Sequence, residues 1–182
     1  MHYAKRFEGV IDNDFCQQII GELQDAEYQQ HKFYNPNDDV IHTRSGAQEL
    51  DVSFSEIPSR ELMMKKMWPV VKKYVDDLKM PWFDSWQGYS RVRFNRYSEN
   101  RKMALHADHI KSLFDGKRKG IPTLSILGLL NDNFKGGEFV LIDEVIDFKG
   151  GDIIIFPSNF MYPHKVEPVL EGTRYSYISW LW

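Results

Sequence analysis

The chain has 182 residues and a formal net charge of −3, which suits one domain and gives no general reason to expect nucleic acid as a partner. Its lone cysteine, Cys16, excludes an internal disulfide framework and is typical of a reducing compartment. No apolar run reaches the length of a membrane-spanning helix, and the N-terminal residues lack the apolar core of a secretory signal. These features predict a soluble cytoplasmic protein without a membrane segment.

The predicted helices lie within residues 1–80. N-cap side chains followed by apolar residues at helical spacing predict a helix over 13–28. The polar stretch 31–45 is predicted as a loop, and 50–54 as a short strand. A second helix is predicted over 60–75, with a kink or a break at Pro69 because proline cannot donate the helical hydrogen bond.

The strand signals follow, within residues 81–182. Short β-rich runs alternate there with clusters of Gly, Asn, Asp and Pro. The predicted strands are 88–97, 103–106, 123–130, 137–143, 152–156, 164–169 and 173–182. Helices followed by strands predict one α+β domain over 1–182, with the helices bracing one side of a β-sandwich. The architecture that we infer is a jelly-roll-like double-stranded β-helix, whose mouth is a natural place for a ligand.

His106 and Asp108 are separated by one residue on a predicted strand, so both side chains can face one metal ion. A third ligand from a distant strand would complete a 2-His-1-carboxylate triad, which leaves positions open on a non-haem Fe(II). His164 is the candidate for that ligand, and Arg174 is placed to pair with an anionic co-substrate. His109 is a rival ligand, but its odd spacing puts it on the opposite strand face. The pattern predicts an oxygenase.

Four segments in chain order extend this pattern. They are Arg93-Phe94-Asn95-Arg96-Tyr97 ahead of His106-Ala107-Asp108; the apolar run 123–131; Phe134-Lys135-Gly136-Gly137-Glu138-Phe139; and 150–158, followed by His164, Gly172-Thr173-Arg174-Tyr175-Ser176 and Trp180. In this order and spacing, the chain resembles the Fe(II)- and 2-oxoglutarate-dependent dioxygenases, particularly the prolyl 4-hydroxylase-like branch. The resemblance covers roughly residues 91–182, and the N-terminal half matches only as helical support.

The resemblance implies a role for each candidate side chain. The implied iron ligands, which form the catalytic centre, are His106, Asp108 and His164. Arg174 would pair with the distal carboxylate of 2-oxoglutarate, and Ser176 would hydrogen-bond the same group. Tyr97 is the candidate to donate its phenol to 2-oxoglutarate, with Tyr89 as a competitor. For Arg174 the alternative is a surface salt bridge.

The implied activity is hydroxylation of an unactivated C–H bond, coupled to decarboxylation of 2-oxoglutarate to succinate and CO2. The implied cofactors are Fe(II), 2-oxoglutarate and O2, with ascorbate as an optional reductant. Asp108 favours hydroxylation, because related halogenases lack this carboxylate. The first candidate substrate is a prolyl residue in a peptide or protein, and the alternative is a free amino acid or another small metabolite. Nucleic-acid demethylation is disfavoured because 174–180 lacks the second arginine of that branch.

A different class stays open: a non-catalytic β-barrel module that holds a metal or an anionic ligand. Three further segments lie near the predicted site by position alone. The basic stretch 111–119 is either a cover over the substrate or a solvated connection, and Arg44-Ser45-Gly46 is a candidate groove wall. Trp180 and Trp182 continue the Arg174 face, either as pocket floor or as core. The oligomeric state is not predicted.

Overall fold

More of the described residues lie in strands than in helices, and the two described α-helices lie in the N-terminal part. The computed structural model of the protein describes residues 3–35, 40–42, 48–80, 88–108 and 122–182. In chain order its helices and strands are β1 Lys5–Phe7, α1 Asn13–Glu22, β2 Gln29–Gln30, β3 Phe33–Asn35, β4 Val40–His42, β5 Asp51–Ser53, α2 Arg60–Leu78, β6 Arg93–Tyr97, β7 Met103–His106, β8 Leu124–Leu129, β9 Lys135–Gly136, β10 Phe139–Leu141, β11 Glu144–Val145, β12 Ile153–Pro157, β13 His164–Val166, β14 Val169–Glu171 and β15 Arg174–Leu181.

Helix α1 begins as the sequence predicts and ends earlier. The side chain of Asp12 accepts a hydrogen bond of 2.9 Å from the Phe15 backbone N–H, which satisfies one of the open donors of the first turn. The helix ends at Glu22, and one 3-10 turn follows before the chain becomes extended at Ala26. The predicted end at residue 28 is wrong because the chain has to straighten at Ala26 to enter β2.

Helix α2 runs without interruption through Pro69. The side chain of Pro69 is exposed, so the backbone carbonyl that loses its partner on this face stays within reach of water. The predicted break is therefore absent. Buried side chains of α2 at helical spacing pack towards the strands; they are Met63, Met67, Val71 and Tyr74. Within the described ranges, neither helix has both the length and the apolar composition that crossing a membrane requires.

Two antiparallel sheets face each other and form the double-stranded β-helix that the sequence predicts. The major sheet has seven strands in the order β1-β12-β8-β15-β6-β5-β2, and the minor sheet has four in the order β11-β10-β13-β7. Because side chains alternate along a strand, the major sheet has two distinct faces. We call the face that packs against α1 and α2 the helix face; its buried residues include Phe94, Leu124, Ile126, Ile153, Ile155 and Tyr177.

The other face of the major sheet, the barrel face, is turned towards the minor sheet. Its apolar part joins residues of the minor sheet in a second core, which includes Leu127, Ile154, Phe156 and Ile178 with Phe139, Leu141 and Val166. The helix face is packed so closely that a Cβ on Gly128 would lie 2.0 Å from the Tyr177 ring. Only glycine fits there, since real side chains do not approach that closely.

Two sequence predictions of loops and strands need correction. The segment predicted as a loop over 31–45 contains the antiparallel pair β3–β4, whose three-residue strands are too short to produce a readable periodicity. The strand predicted over 164–169 is two strands, β13 and β14, which belong to different sheets. Pro168 lies between them and cannot donate a hydrogen bond to a ladder, so the strand cannot continue.

Candidate active site

The three predicted metal ligands meet between the two sheets. His106 ends β7, His164 begins β13, and the two residues lie opposite each other in the strand register. Nε2 of His106 lies 3.5 Å from Oδ1 of Asp108, and Nε2 of His164 lies 3.8 Å from Oδ2 of Asp108. One ligand atom from each of the three residues lies within 4.8 Å of the others. Asp108 follows the end of β7, so a bend brings its carboxylate to the cluster, whereas the prediction relied on strand alternation.

Backbone carbonyls orient both imidazole rings. Nδ1 of His106 lies 2.8 Å from the Ala104 carbonyl oxygen, and Nδ1 of His164 lies 3.1 Å from the Tyr162 carbonyl oxygen. Because a carbonyl only accepts hydrogen bonds, each Nδ1 carries a ring proton, and in the neutral form of either ring Nε2 holds the lone pair. Both lone pairs therefore belong to the nitrogens nearest Asp108, as metal ligation by histidine requires.

Asp108 is 5% exposed and is held by a hydrogen bond of 2.5 Å from the Ser125 hydroxyl. Burial alone would raise the pKa of Asp108, but the imidazoles of His164 and His106 and the Ser125 hydroxyl hold that pKa below its usual range. Burial lowers the pKa of His164 to about 4, so this ring is neutral at physiological pH. Two histidine imidazoles and one carboxylate are the donor set that Fe(II) takes in a facial triad.

Arg174 is also buried, at 1% exposure. Its Nη1 donates a hydrogen bond of 2.9 Å to the Ser176 hydroxyl, and its Nε is buried without an acceptor among the described residues. Burial lowers the pKa of Arg174, because the charged form loses its hydration. The alternative of a surface salt bridge is therefore wrong. A buried guanidinium that lacks a protein carboxylate among the described residues fits a site for an anionic ligand.

Tyr97 and Tyr89, the two candidates for a phenol beside Arg174, lie in different places. Tyr97 lies opposite Arg174 in the pairing of β6 with β15, and the Arg174 guanidinium carbon is 5.0 Å from the Tyr97 ring centre. Tyr89 donates its hydroxyl hydrogen bond of 2.8 Å to the Met64 carbonyl in α2 and stacks on Trp68. The structure thus brings Tyr97 next to Arg174 and uses Tyr89 in helix packing.

Sequence reasoning missed several polar residues of the barrel face. Ser125 is one, because no motif marks a serine that reaches Asp108 from another strand. Arg93 and Asn95 are two more: Nε of Arg93 donates a hydrogen bond of 3.1 Å to Asn95 Oδ1. The signal for this pair was present, since the period of two places both residues on the face of Tyr97.

The remaining predictions concern the surroundings of the site. A cavity of about 410 Å³ has Arg174, Leu129 and Phe139 among its lining residues, a size that suits a small ligand. Trp180 is half-buried and packs against the barrel core, whereas Trp182 follows the end of β15. The predictions for His109, for 111–119 and for Arg44-Ser45-Gly46 lie outside the described residues.

A comparison with known protein families shows where this arrangement of residues belongs. The sequence model of the 2OG-Fe(II) oxygenase superfamily, in which 2OG is 2-oxoglutarate, matches residues 92–182. The chain belongs to the 2OG-Fe(II) oxygenase superfamily. This match contains all three residues of the metal cluster as well as Arg174. The superfamily takes its name from the metal and the co-substrate, and both fit the donor set and the buried arginine described above.

Curated relatives and solved structures agree with this membership. A PKHD-type hydroxylase from Idiomarina loihiensis is 35% identical over 96 residues, which cover 50% of this chain and 42% of that protein. The aligned part thus spans less than half of that relative. A PKHD-type hydroxylase from a Janthinobacterium species is 32% identical over 100 residues, covering 51% of this chain and 43% of that protein.

The solved structures show the fold over nearly the whole chain. A Trichoplax adhaerens prolyl hydroxylase, solved in complex with a peptide fragment of the hypoxia inducible factor oxygen degradation domain, matches with a TM-score of 0.70 at 16% identity, covering 99% of this chain and 83% of that one. The viral collagen prolyl hydroxylase of Paramecium Bursaria Chlorella virus-1 gives 0.65 at 16% identity, covering 98% and 94%. Each match covers nearly the whole chain, which confirms the predicted fold class.

Proposed function

We propose that the protein is an Fe(II)- and 2-oxoglutarate-dependent hydroxylase that oxidises an unactivated C–H bond. The observation that carries this proposal is the convergence of His106, Asp108 and His164 between the two sheets, together with the buried Arg174 on the barrel face. Fe(II) held by those three side chains would supply the oxidation chemistry, with decarboxylation of 2-oxoglutarate to succinate and CO2 and use of O2. The protein residues bind and orient the metal, the co-substrate and the substrate, and they exclude water from the site.

Each side chain has a separate task in this proposal. The carbonyls of Ala104 and Tyr162 keep the two imidazoles in the tautomer that ligates through Nε2, and Ser125 steadies the Asp108 carboxylate. Arg174 and Ser176 bind the distal carboxylate of 2-oxoglutarate. Tyr97 donates its phenol to the same co-substrate, because its ring already lies against the Arg174 guanidinium.

The substrate that we propose is a prolyl residue in a peptide or protein. The support is that solved structures of the same fold include prolyl hydroxylases, one of them holding a peptide. A free amino acid or small metabolite is the alternative within the same chemistry. We expect no nucleic-acid partner, and ascorbate is an optional reductant. We also propose a cytoplasmic location, in keeping with the single cysteine.

An anaerobic titration tests the site assignment. Metal-free protein is titrated with Fe(II) and then with 2-oxoglutarate, and the visible charge-transfer band of the chelated co-substrate is recorded. We expect a band in the wild type, no band in His106→Ala, and roughly 100-fold weaker 2-oxoglutarate binding in Arg174→Ala, because a lost charge-assisted pair costs about 3 kcal/mol. A folded protein that gives no band at saturating iron would contradict the proposal.

Turnover of 2-oxoglutarate distinguishes the proposed hydroxylase from the second class, a non-catalytic binding module. A hydroxylase converts 2-oxoglutarate to succinate with iron and O2, and His106→Ala abolishes this conversion. The assay is run without added substrate, with proline-containing peptides, and with free amino acids and small metabolites. A protein that shows the band and forms no succinate under any of these conditions behaves as a binding module.

A further inference from the structure

Arg93 is a second arginine on the barrel face, and the site proposed above gives it no task. Phe94, its neighbour along β6, is buried in the helix-face core, so Arg93 points to the opposite side, into the barrel. The Arg93 guanidinium carbon lies 5.2 Å from the Trp180 ring centre, which places the guanidinium over the indole. Arg93 is partly exposed, so a molecule that enters the barrel from solvent can reach it.

A row of hydrogen bonds connects Arg93 to the 2-oxoglutarate site. Nη1 of Arg174 donates to Ser176 Oγ at 2.9 Å, Nδ2 of Asn95 donates to the same oxygen at 3.5 Å, and Nε of Arg93 donates to Asn95 Oδ1 at 3.1 Å. Nε is thereby used, and the two terminal nitrogens of Arg93 have no acceptor among the described residues. Trp180 at the end of the row also keeps a buried indole N–H without a described acceptor. This end of the row has more donors than acceptors.

The charge of Arg93 acts on the metal cluster. Burial is the main cause that lowers the pKa of His164, and the positive charge of Arg93 adds to that effect. Burial also lowers the pKa of Arg93, while the negative charge of Asp108 acts in the opposite direction. Arg93 therefore lies close enough to both ligands to interact with them electrostatically, although it makes no ion pair with a described carboxylate.

A count of formal charges shows which cation of the site would lack a partner when Fe(II) and 2-oxoglutarate are bound. An Fe(II) ion carries two positive charges; they are balanced by the Asp108 carboxylate and the carboxylate of 2-oxoglutarate that chelates the ion. The distal carboxylate of 2-oxoglutarate balances Arg174. Arg93 then has no ion-pair partner among the described residues, and a cation without such a partner in a largely desolvated site is costly.

We infer that Arg93 is a specificity residue that binds a carboxylate of the substrate, next to the carbon that is oxidised. This inference rests on the proposed hydroxylase function and narrows its substrate class. An internal prolyl residue has no charge of its own, whereas a C-terminal prolyl residue and a free amino acid both carry a carboxylate next to the ring or side chain. The guanidinium can bind that carboxylate through its two unused nitrogens, with the indole of Trp180 behind it.

Binding of matched probes to the anaerobic Fe(II)–2-oxoglutarate complex tests the inference. The probes are acetate with acetamide, N-acetyl-L-proline with its amide, and L-proline with prolinamide. The second pair represents a C-terminal prolyl residue, and the third a free amino acid. The readouts are tryptophan fluorescence and perturbation of the charge-transfer band. Because saturating 2-oxoglutarate occupies Arg174, the probes report on Arg93.

In the wild type we expect the carboxylate member of at least one pair to bind at least about tenfold more tightly than the amide member. Arg93→Gln and Arg93→Met should abolish this preference, and Arg93→Lys should keep part of it. Arg93→Met retains apolar contact with Trp180, so it guards against a simple folding defect. Arg96→Gln is the matched control: it removes a positive charge from the same strand, but this side chain pairs with Asp51 at 3.2 Å and packs on Tyr28.

Three results would overturn the inference while the charge-transfer band persists. One is equal binding of the two members of every pair. Failure of every carboxylate to bind at about 50 mM counts as the same result, because a site with a standard binding free energy of only about −1.8 kcal/mol would be half filled at that concentration. Another is a carboxylate preference that survives both Arg93→Gln and Arg93→Met. The third is a loss of 2-oxoglutarate affinity in Arg93→Gln as large as in Arg174→Gln, which would make Arg93 part of the co-substrate site. Absence of the band in the wild type would instead contradict the proposed function.

Discussion

The two faces of the major sheet are built from the same strands, and along β6 and β15 they differ in chemistry. On the helix face, Phe94 and Tyr177 are closely packed neighbours across β6 and β15 and belong to an apolar core. On the barrel face, three of the four residues adjacent to them along the same strands are polar, namely Arg93, Asn95 and Ser176, and the fourth is Ile178. A shift of one residue therefore separates apolar packing from a row of polar groups.

This difference separates stability from function within single strands. The helix face contributes free energy of folding by removing apolar surface from water. The barrel face contains hydrogen-bond donors without acceptors among the described residues, such as Nε of Arg174. In the protein without ligands, the desolvation of these donors therefore makes an unfavourable contribution to the free energy of folding. We therefore expect mutations on the two faces to affect different measurements.

The largest effect is expected for Phe94→Ala on the helix face. Its fully buried ring would leave a cavity, so the free energy of unfolding should fall by about 4 kcal/mol. Denaturant unfolding of the wild type and the variant measures this loss. The affinity of the remaining folded protein for 2-oxoglutarate should stay near the wild-type value. Phe94→Leu is the size control and should lose far less stability; an equal loss in both variants would contradict the cavity argument.

Arg174→Met should have the reverse signature. Removing a buried cation without a described counter-charge leaves the free energy of unfolding of the ligand-free protein unchanged or raises it by about 1 kcal/mol. The affinity for 2-oxoglutarate should fall roughly 100-fold, since the charge-assisted pair is lost. Denaturant unfolding and the charge-transfer titration are run on the same sample. A marked loss of stability would mean that Arg174 also has a structural role.

Ser125→Ala should weaken the metal site without disassembling it. The hydroxyl that holds Asp108 at 2.5 Å is lost, and such outer partners of metal ligands contribute about tenfold in metal affinity. Competition with a chelator measures the change. Ser158→Ala is the matched control, because Ser158 contacts Ser125 at 2.8 Å and makes no described contact with Asp108. Equal losses of metal affinity in the two variants would contradict a specific role for the hydrogen bond from Ser125 to Asp108.

The smallest effect concerns Cys16 on the helix side and depends on pH. Burial raises the pKa of Cys16 to about 11, above the value of 9.0 for an exposed thiol. The folded state therefore holds the proton more tightly, and the associated stability is fully present below pH 9 and is lost as the pH rises through about 11. Relative to Cys16→Ala, the wild type should lose about 1 kcal/mol between pH 8 and pH 10. Parallel stability curves over this range would contradict the assignment.

The sequence was sufficient where a residue's role depends on local spacing or on a shared motif. His106, His164 and Arg174 were singled out in this way; the structure brings the two histidines together and buries Arg174, and Asp108 joins the histidines although a bend rather than a strand positions it. Ser125 was not predictable, because its contact with Asp108 depends on how β8 lies relative to the end of β7. Strand register between distant segments has no signature in one sequence.

The same limit explains the errors in element boundaries. The early end of α1 at Glu22 reflects the need to reach β2 at the sheet edge, which is a property of the assembled fold. The separation of β13 from β14 was signalled by Pro168, but its consequence, pairing of β14 with β9, depends on long-range contacts. Local propensities determine which residues can form strands, and tertiary pairing determines where each strand ends.

The position of β15 has a consequence for biosynthesis. This strand follows all the others along the chain, yet it lies in the middle of the major sheet, between β8 and β6. While residues 174–181 are still inside the ribosome, the emerged strands β8 and β6 each present an open hydrogen-bonding edge, and the edge of β8 is flanked mostly by apolar side chains. Such edges are templates for aggregation. Nascent chains of this protein therefore pass through a vulnerable stage that ends when β15 is released and joins the two parts of the sheet.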